Sequence, residues 1–140
     1  MLWTTKMDSA LSDWDYRLLA DFRETLRRFV AFSEAKAAEV GLTPQQHQAL
    51  LAIKAAPFPA TIGGVAETLM LKPHSASGLI DRLKALSLIE RRHSPEDRRQ
   101  AQVLLTQKAD ELLAALSATH REEIRRLRPM LTDLLARIAD

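Results

Sequence analysis

Leu11, Trp14, Leu18, Phe22, Leu26, Phe29 and Val30 recur at three- or four-residue spacing, and Ala37 and Val40 carry the row to Gly41. This predicts one long amphipathic helix over roughly residues 10–39. Its apolar face is longer than one small domain's core can cover, so a second partner is expected for the remainder. Thr43-Pro44-Gln45-Gln46 reads as a helix start, with Thr43 as cap, Pro44 in the first helical position and Gln46 reaching back. That helix runs to about Ala56 and stops at Pro57-Phe58-Pro59. A short helix follows at about 62–70, capped by Thr61, despite Gly63 and Gly64, each of which costs on the order of 1 kcal/mol inside a helix. Leu71-Lys72-Pro73 breaks the chain. The next helix, about 73–86, places Ala76, Leu79, Ile80, Leu83 and Leu86 on its buried side.

Two short helices joined by a tight turn form a helix-turn-helix pattern. The period then changes from helical to alternating. Leu88 to Arg92 reads as a strand, Ser94-Pro95-Glu96-Asp97 as a turn, and Ala101 to Leu105 as the return strand, with Val103 and Leu105 on one face. The expected fold class is therefore mainly α with a small β-hairpin wing: a winged helix-turn-helix flanked by long helices. Thr106 caps the last segment, where Ala109, Leu113, Leu116, Ile124, Leu127, Leu131, Leu134 and Ile138 keep helical spacing. Pro129 lies inside this pattern and should kink the helix or divide it in two. The surplus apolar positions at the two ends, Leu11, Trp14 and Leu18 with Leu127, Leu131, Leu134 and Ile138, read as a shared dimer interface.

With 140 residues and 46% apolar composition, the chain has the size of one domain with a modest core. The absence of cysteine excludes disulfides, thiol catalysis and cysteine-based zinc sites. No apolar run approaches a membrane span and the start of the chain lacks a signal-like core, so a soluble cytoplasmic protein is expected. Net charge is only +2, but residues 72–99 hold seven positive and four negative side chains, and the rest of the chain is nearly balanced. A local basic patch of this kind fits a polyanionic partner.

That patch coincides with the helix-turn-helix and its wing. His74, Ser75, Ser77 and Gly78 lie on the second helix away from Leu79 and Leu83. The serines can donate or accept, and Gly78 allows close backbone approach. Lys72, Arg82 and Lys84 flank this face and suit phosphates. Arg98 and Arg99 stand at the hairpin tip, where a guanidinium can reach a narrow minor groove. Asp97 would repel phosphate there, so its expected role is to brace the tip by accepting from a nearby arginine.

From about Leu42 to Thr106 the chain resembles the MarR family of bacterial winged-helix transcription regulators. The most specific likeness is D-x-R-x-x-x-V-x-L-T, present as Asp97, Arg99, Val103, Leu105 and Thr106. The run "HSASGLIDRLKALSLIERR", including Leu83 and Arg91, resembles that family's recognition helix and first wing strand. The resemblance implies a single MarR-like domain over 1–140, with 10–40 and 106–140 as dimerisation helices and 42–105 as the DNA-binding lobe. It implies a homodimer on a pseudo-palindromic operator in double-stranded DNA, most often as a repressor. Arg99 would enter the minor groove, with Asp97 and Arg91 bracing the wing. No cofactor is expected, although a small aromatic or anionic effector is common among such proteins. The chain departs from the family pattern in three places. Ser87 replaces a usual glycine, which either pushes it to positive φ or changes the turn; Ala109 replaces another glycine, and Gly78 stands where a larger polar or basic residue is frequent.

Other chemistry has less support. His47, His93 and His120 form no ligand pair of zinc-binding spacing, so no metal site is expected. His47 reads as part of a partly buried helix face. Trp14, Phe22 and Phe29 could line a ligand pocket, but their helical spacing fits core or interface better. Arg121, Arg125, Arg126 and Arg128 alternate with Glu122 and Glu123, as on a solvated face. No nucleophile elbow or phosphate loop occurs, and Ser, His and Asp within 74–81 sit on an exposed helix, so an enzyme is not expected. The rival reading is a winged-helix module that docks a protein and binds DNA weakly.

Overall fold

The computed structural model describes residues 10–93, 96 and 101–138. It contains α1 (Asp13–Glu39), α2 (Pro44–Ala55), β1 (Ala60–Thr61), α3 (Ile62–Thr68), α4 (Pro73–Ala85), β2 (Ile89–His93), β3 (Ala101–Leu105) and α5 (Gln107–Arg137). The chain divides into two compact units, one of residues 33–120 and one of residues 1–32 with 121–140.

The 33–120 unit carries the core. Leu50, Leu79, Ile80, Leu83, Leu88 and Val103 are sealed from solvent, and Ala37, Ala109, Leu113 and Leu116 join the same cluster. The helices begin where the sequence places capping groups. Thr43 and Gln46 form a reciprocal capping box, with the Gln46 N–H donating to Thr43 Oγ1 at 3.1 Å and the Thr43 N–H donating to Gln46 Oε1 at 3.0 Å. Thr61 Oγ1 accepts from the Gly64 N–H at 3.0 Å. A Cβ on Gly64 would sit 3.2 Å from that oxygen, so glycine suits the cap, whereas nothing in the structure explains Gly63. Thr106 Oγ1 accepts from the Ala109 N–H at 3.2 Å and donates to the Ser87 carbonyl at 2.8 Å.

The wing differs from a two-stranded hairpin. Three strands form the sheet in the order β1-β3-β2, all antiparallel. Val103 is the central residue, paired to Ala60 on one side and Arg91 on the other. In β2 only Ile89 is buried, so Glu90 to His93 run out of the core into solvent. Leu86, expected on the buried side of its helix, is 42% exposed because the helix ends at Ala85 and Leu86 belongs to the turn.

Three helices end in the same way. Leu42, Leu71 and Leu88 donate N–H bonds to the carbonyls of Ala37, Ala66 and Leu83, five residues back, at 2.8–3.0 Å. The residue before each has positive φ: Gly41 at 79°, Met70 at 57° and Ser87 at 61°. These are Schellman ends, which place one residue in the left-handed region. Of the two outcomes open at Ser87, positive φ or a different turn, the structure has the positive φ.

In the other unit, Ser12 and Asp15 open α1 reciprocally. The Ser12 N–H donates to Asp15 Oδ2 at 2.8 Å and the Asp15 N–H donates to Ser12 Oγ at 3.2 Å. Arg137 packs over the Trp14 ring, 4.5 Å from its centroid, and donates to Asp21 Oδ2 at 2.9 Å. Pro129 does not divide the last segment, because α5 runs unbroken from Gln107 to Arg137. Pro129 and Arg125 are both exposed, so water can satisfy the carbonyl that loses its helical partner.

Candidate nucleic-acid interface

Helix α4 has 13 residues and is about 20 Å long at 1.5 Å per residue, a rod that fits a major groove roughly 12 Å wide. Ala76, Leu79, Ile80 and Leu83 anchor one side in the core. The outward side carries His74, Ser75, Asp81, Arg82 and Lys84, all exposed, with Ser77 and Gly78 half-buried. The structure thus brings together six of the sequence-predicted positions, Lys72, His74, Ser75, Ser77, Gly78 and Arg82, on one helix and its cap.

Lys72 is the N-cap and makes no side-chain cap bond. With Pro73 in the first helical position, the N–H groups of His74 and Ser75 open the helix without a side-chain acceptor. Such an end carries partial positive charge and favours anions. Arg82 lies back along the helix, its Nη1 3.4 Å from where a Cβ on Gly78 would be. The bare backbone at Gly78 therefore leaves room for the guanidinium to lie on the outward face.

Sequence reasoning missed Asp81. Its carboxylate stands on this outward face and accepts a bond from Arg91 Nη2, an ion pair between α4 and β2. That contact ties the start of the wing to the helix and neutralises the one acidic group among the outward residues. Arg91, expected as a wing-bracing residue, pairs with Asp81 of α4. Asp97, Arg98 and Arg99 lie outside the described residues.

The remaining sequence-predicted residues belong to the other unit. Leu11, Trp14 and Ile138 are exposed by more than half, and Leu18, Leu127 and Leu131 are half-buried. Leu134 differs: it is buried within the single chain and so is packed before any second copy arrives. Arg125 and Arg126 pair with Glu122 and Glu123, as a solvated face predicts. Among the described residues, no helix is long and apolar enough to cross a membrane.

A model of the MarR family matches residues 40–100, a span that runs from α2 through β2 and stops before β3. None of the curated proteins matches the chain in sequence. Solved structures match it widely. A MepR variant from Staphylococcus aureus bound to an oligodeoxyribonucleotide superposes with a TM-score of 0.69 at 21% identity, over 84% of this chain and 95% of that one. AbsC, a MarR family transcriptional regulator from Streptomyces coelicolor, gives 0.70 at 19% identity over 91% and 99%. RV1404 from Mycobacterium tuberculosis gives 0.70 at 25% identity over 86% and 82%.

Proposed function

We propose that the chain is a MarR family member and a sequence-specific, double-stranded DNA-binding transcription regulator, a reading supported by the family match over residues 40–100 and by the winged-helix fold it shares with solved MarR family structures. The observation that carries the reading is the outward face of α4. Groups that read base edges, His74, Ser75 and Ser77, sit there between cations suited to phosphate, Lys72, Arg82 and Lys84. The Asp81–Arg91 pair holds the wing against that helix. In this reading Arg98 and Arg99 reach the minor groove beside the site, and Asp97 fixes them.

The protein acts as a homodimer, most simply as a repressor on a pseudo-palindromic operator with half-sites about one helical turn apart, roughly 34–36 Å. The exposed apolar rows of the first and last helices support this assembly. A small aromatic or anionic effector would act by altering half-site spacing, and a rise of melting temperature with ligand concentration would reveal it.

Selection from random duplexes with purified protein, at about 0.15 M salt, tests the reading. A two-fold symmetric sequence with that spacing is expected. Failure to enrich any sequence, together with no binding to random duplex at low salt, would instead favour a protein-docking module. Arg99→Ala is expected to weaken operator binding and lower the salt slope by about one, since one DNA-contacting cation is lost. An unchanged slope would remove Arg99 from the interface.

A further inference from the structure

His47 on α2 is 5% exposed, yet it carries an ionisable ring. Its neighbour is a second imidazole: the His120 ring of α5 lies 4.9 Å away, tilted by 47°. His120 is itself held on both edges. Its Nδ1 is 2.7 Å from the Leu116 carbonyl, and its Nε2 is 2.8 Å from Ser33 Oγ on α1. Since the carbonyl only accepts, Nδ1 bears a proton, and in the neutral ring Nε2 accepts from the Ser33 hydroxyl. Three helices of the 33–120 unit therefore meet at a pair of imidazoles, His47 buried and His120 half-buried.

The pair has a counterpart along the same two helices. Lys54, seven residues on from His47, pairs with Asp110, ten residues before His120, at 2.9 Å. Thus α2 is tied to α5 near both of its ends, by an exposed ion pair at one and by two rings at the other. Helix α2 in turn packs against α4, the helix that carries the proposed DNA face.

We propose that the His47–His120 contact is an acid-sensitive latch, closed when both rings are neutral and loosened when His47 takes up a proton. The closed contact has one charge-free arrangement. A proton on His47 puts a cation in a site with little water, beside a ring whose two nitrogens are already engaged. Burial lowers the pKa of His47 below its ordinary 6.5, and the charge of His120 lowers it further. No carboxylate offsets this among the groups identified at the site: α5 presents His120 and α1 presents the neutral Ser33, while Asp110 is paired with Lys54 and Glu39 with Lys36.

The sign of the effect follows from linkage. The unfolded chain binds a proton on His47 more readily than the folded one. The stabilising contribution is therefore complete above about pH 6.5 and is lost as pH falls through the lowered folded value. The same loosening withdraws support from α4. DNA affinity is therefore expected to fall on acidification, the only part of this inference that rests on the proposed DNA-binding function.

The test uses the full-length protein. Ring resonances of the four histidines are followed by NMR from about pH 8 to about pH 5, assigned with His74→Gln and His93→Gln, which change exposed side chains, and with His120→Gln. His47 is expected to titrate below 6.5. Denaturant stability of the wild type should fall across this range, and His47→Gln should flatten the fall. Operator affinity should drop severalfold from about pH 7.5 to about pH 5.5 in the wild type and less in His47→Gln. If the His47 ring titrates at or above 6.5 in the wild type, the latch is wrong, whether or not the variant folds. Equal pH slopes for wild type and His47→Gln would overturn it as well. If no DNA binds at any pH, the DNA-binding function fails, while the ring titration and stability still decide the latch.

Discussion

In the unit of residues 33–120, Leu50, Leu79, Ile80, Leu83, Leu88 and Val103 are closed off from water. In the unit of residues 10–32 and 121–138, Trp14, Leu19, Phe22, Leu26, Ile124 and Leu135 stand 46–70% exposed, and Leu134 is the buried leucine. The same residue types and the same helical spacing give opposite outcomes. The first unit wraps short helices and a sheet around one centre, so each apolar row meets another. The second consists of stretches of two long helices, and such a pair leaves most of each row uncovered. A row that its own chain cannot cover is the physical basis for expecting a second copy there.

Deleting core volume in the first unit should have the largest effect. Leu83→Ala removes a fully buried side chain from the helix that carries the proposed DNA face. A loss of about 2–5 kcal/mol is expected in denaturant melts, equal at low and high protein concentration. Concentration dependence of that loss would mean that the lobe's core is not self-contained.

A charge in the second unit should act differently. Leu135 is 70% exposed, so Leu135→Glu costs the single chain little. If the row is an interface, the variant weakens dimerisation at least tenfold, about 1.4 kcal/mol, as read by sedimentation. A wild type that sediments as a monomer at all concentrations would break the comparison, leaving the exposed row without a partner.

The two regions were unequally legible in the sequence. Periodicity and caps located every long element, because Thr43, Thr61 and Thr106 signal locally and the apolar rows repeat. The strand at Ala60–Thr61 was not legible: two residues carry no pattern, and their strand exists only through pairing with Val103 and Gln102. The Asp81–Arg91 pair was equally hidden, since it joins two elements ten residues apart and depends on how the wing leaves the core. Leu134 looked the same as Leu131 in sequence. Only the packing of the helices distinguishes a leucine sealed within the chain from one half-open to solvent.

Within the lobe, Gly78→Ala sharpens the contrast between the buried and outward faces of α4. A Cβ there meets the flexible end of Arg82 at ordinary contact distance. The free protein should gain up to about 1 kcal/mol from better helix propensity. Operator affinity should nonetheless fall, as the close backbone approach that glycine allows is lost. Stability and affinity rising together would show that the outward face does not touch DNA at this position.

The smallest expected effect concerns the three Schellman ends, which share one hydrogen-bond pattern and differ in the residue at positive φ. Gly41 adopts that conformation freely. Ser87 pays roughly 1–2 kcal/mol for it, because its Cβ crowds the following carbonyl. Ser87→Gly removes that strain but gives the unfolded chain more freedom, worth about 0.4–1 kcal/mol in the other direction. The net should be a gain of about 0.5 kcal/mol, visible as a small rise in melting temperature. The bond from Thr106 Oγ1 goes to the backbone carbonyl of residue 87, so it survives the change and isolates the conformational term. Gly41→Ala should lose about 1 kcal/mol by the same reasoning. If Ser87→Gly is neutral or harmful while Gly41→Ala is costly, then the Ser87 side chain contributes something that offsets its strain. The turn between α4 and β2 would then be held by more than its backbone.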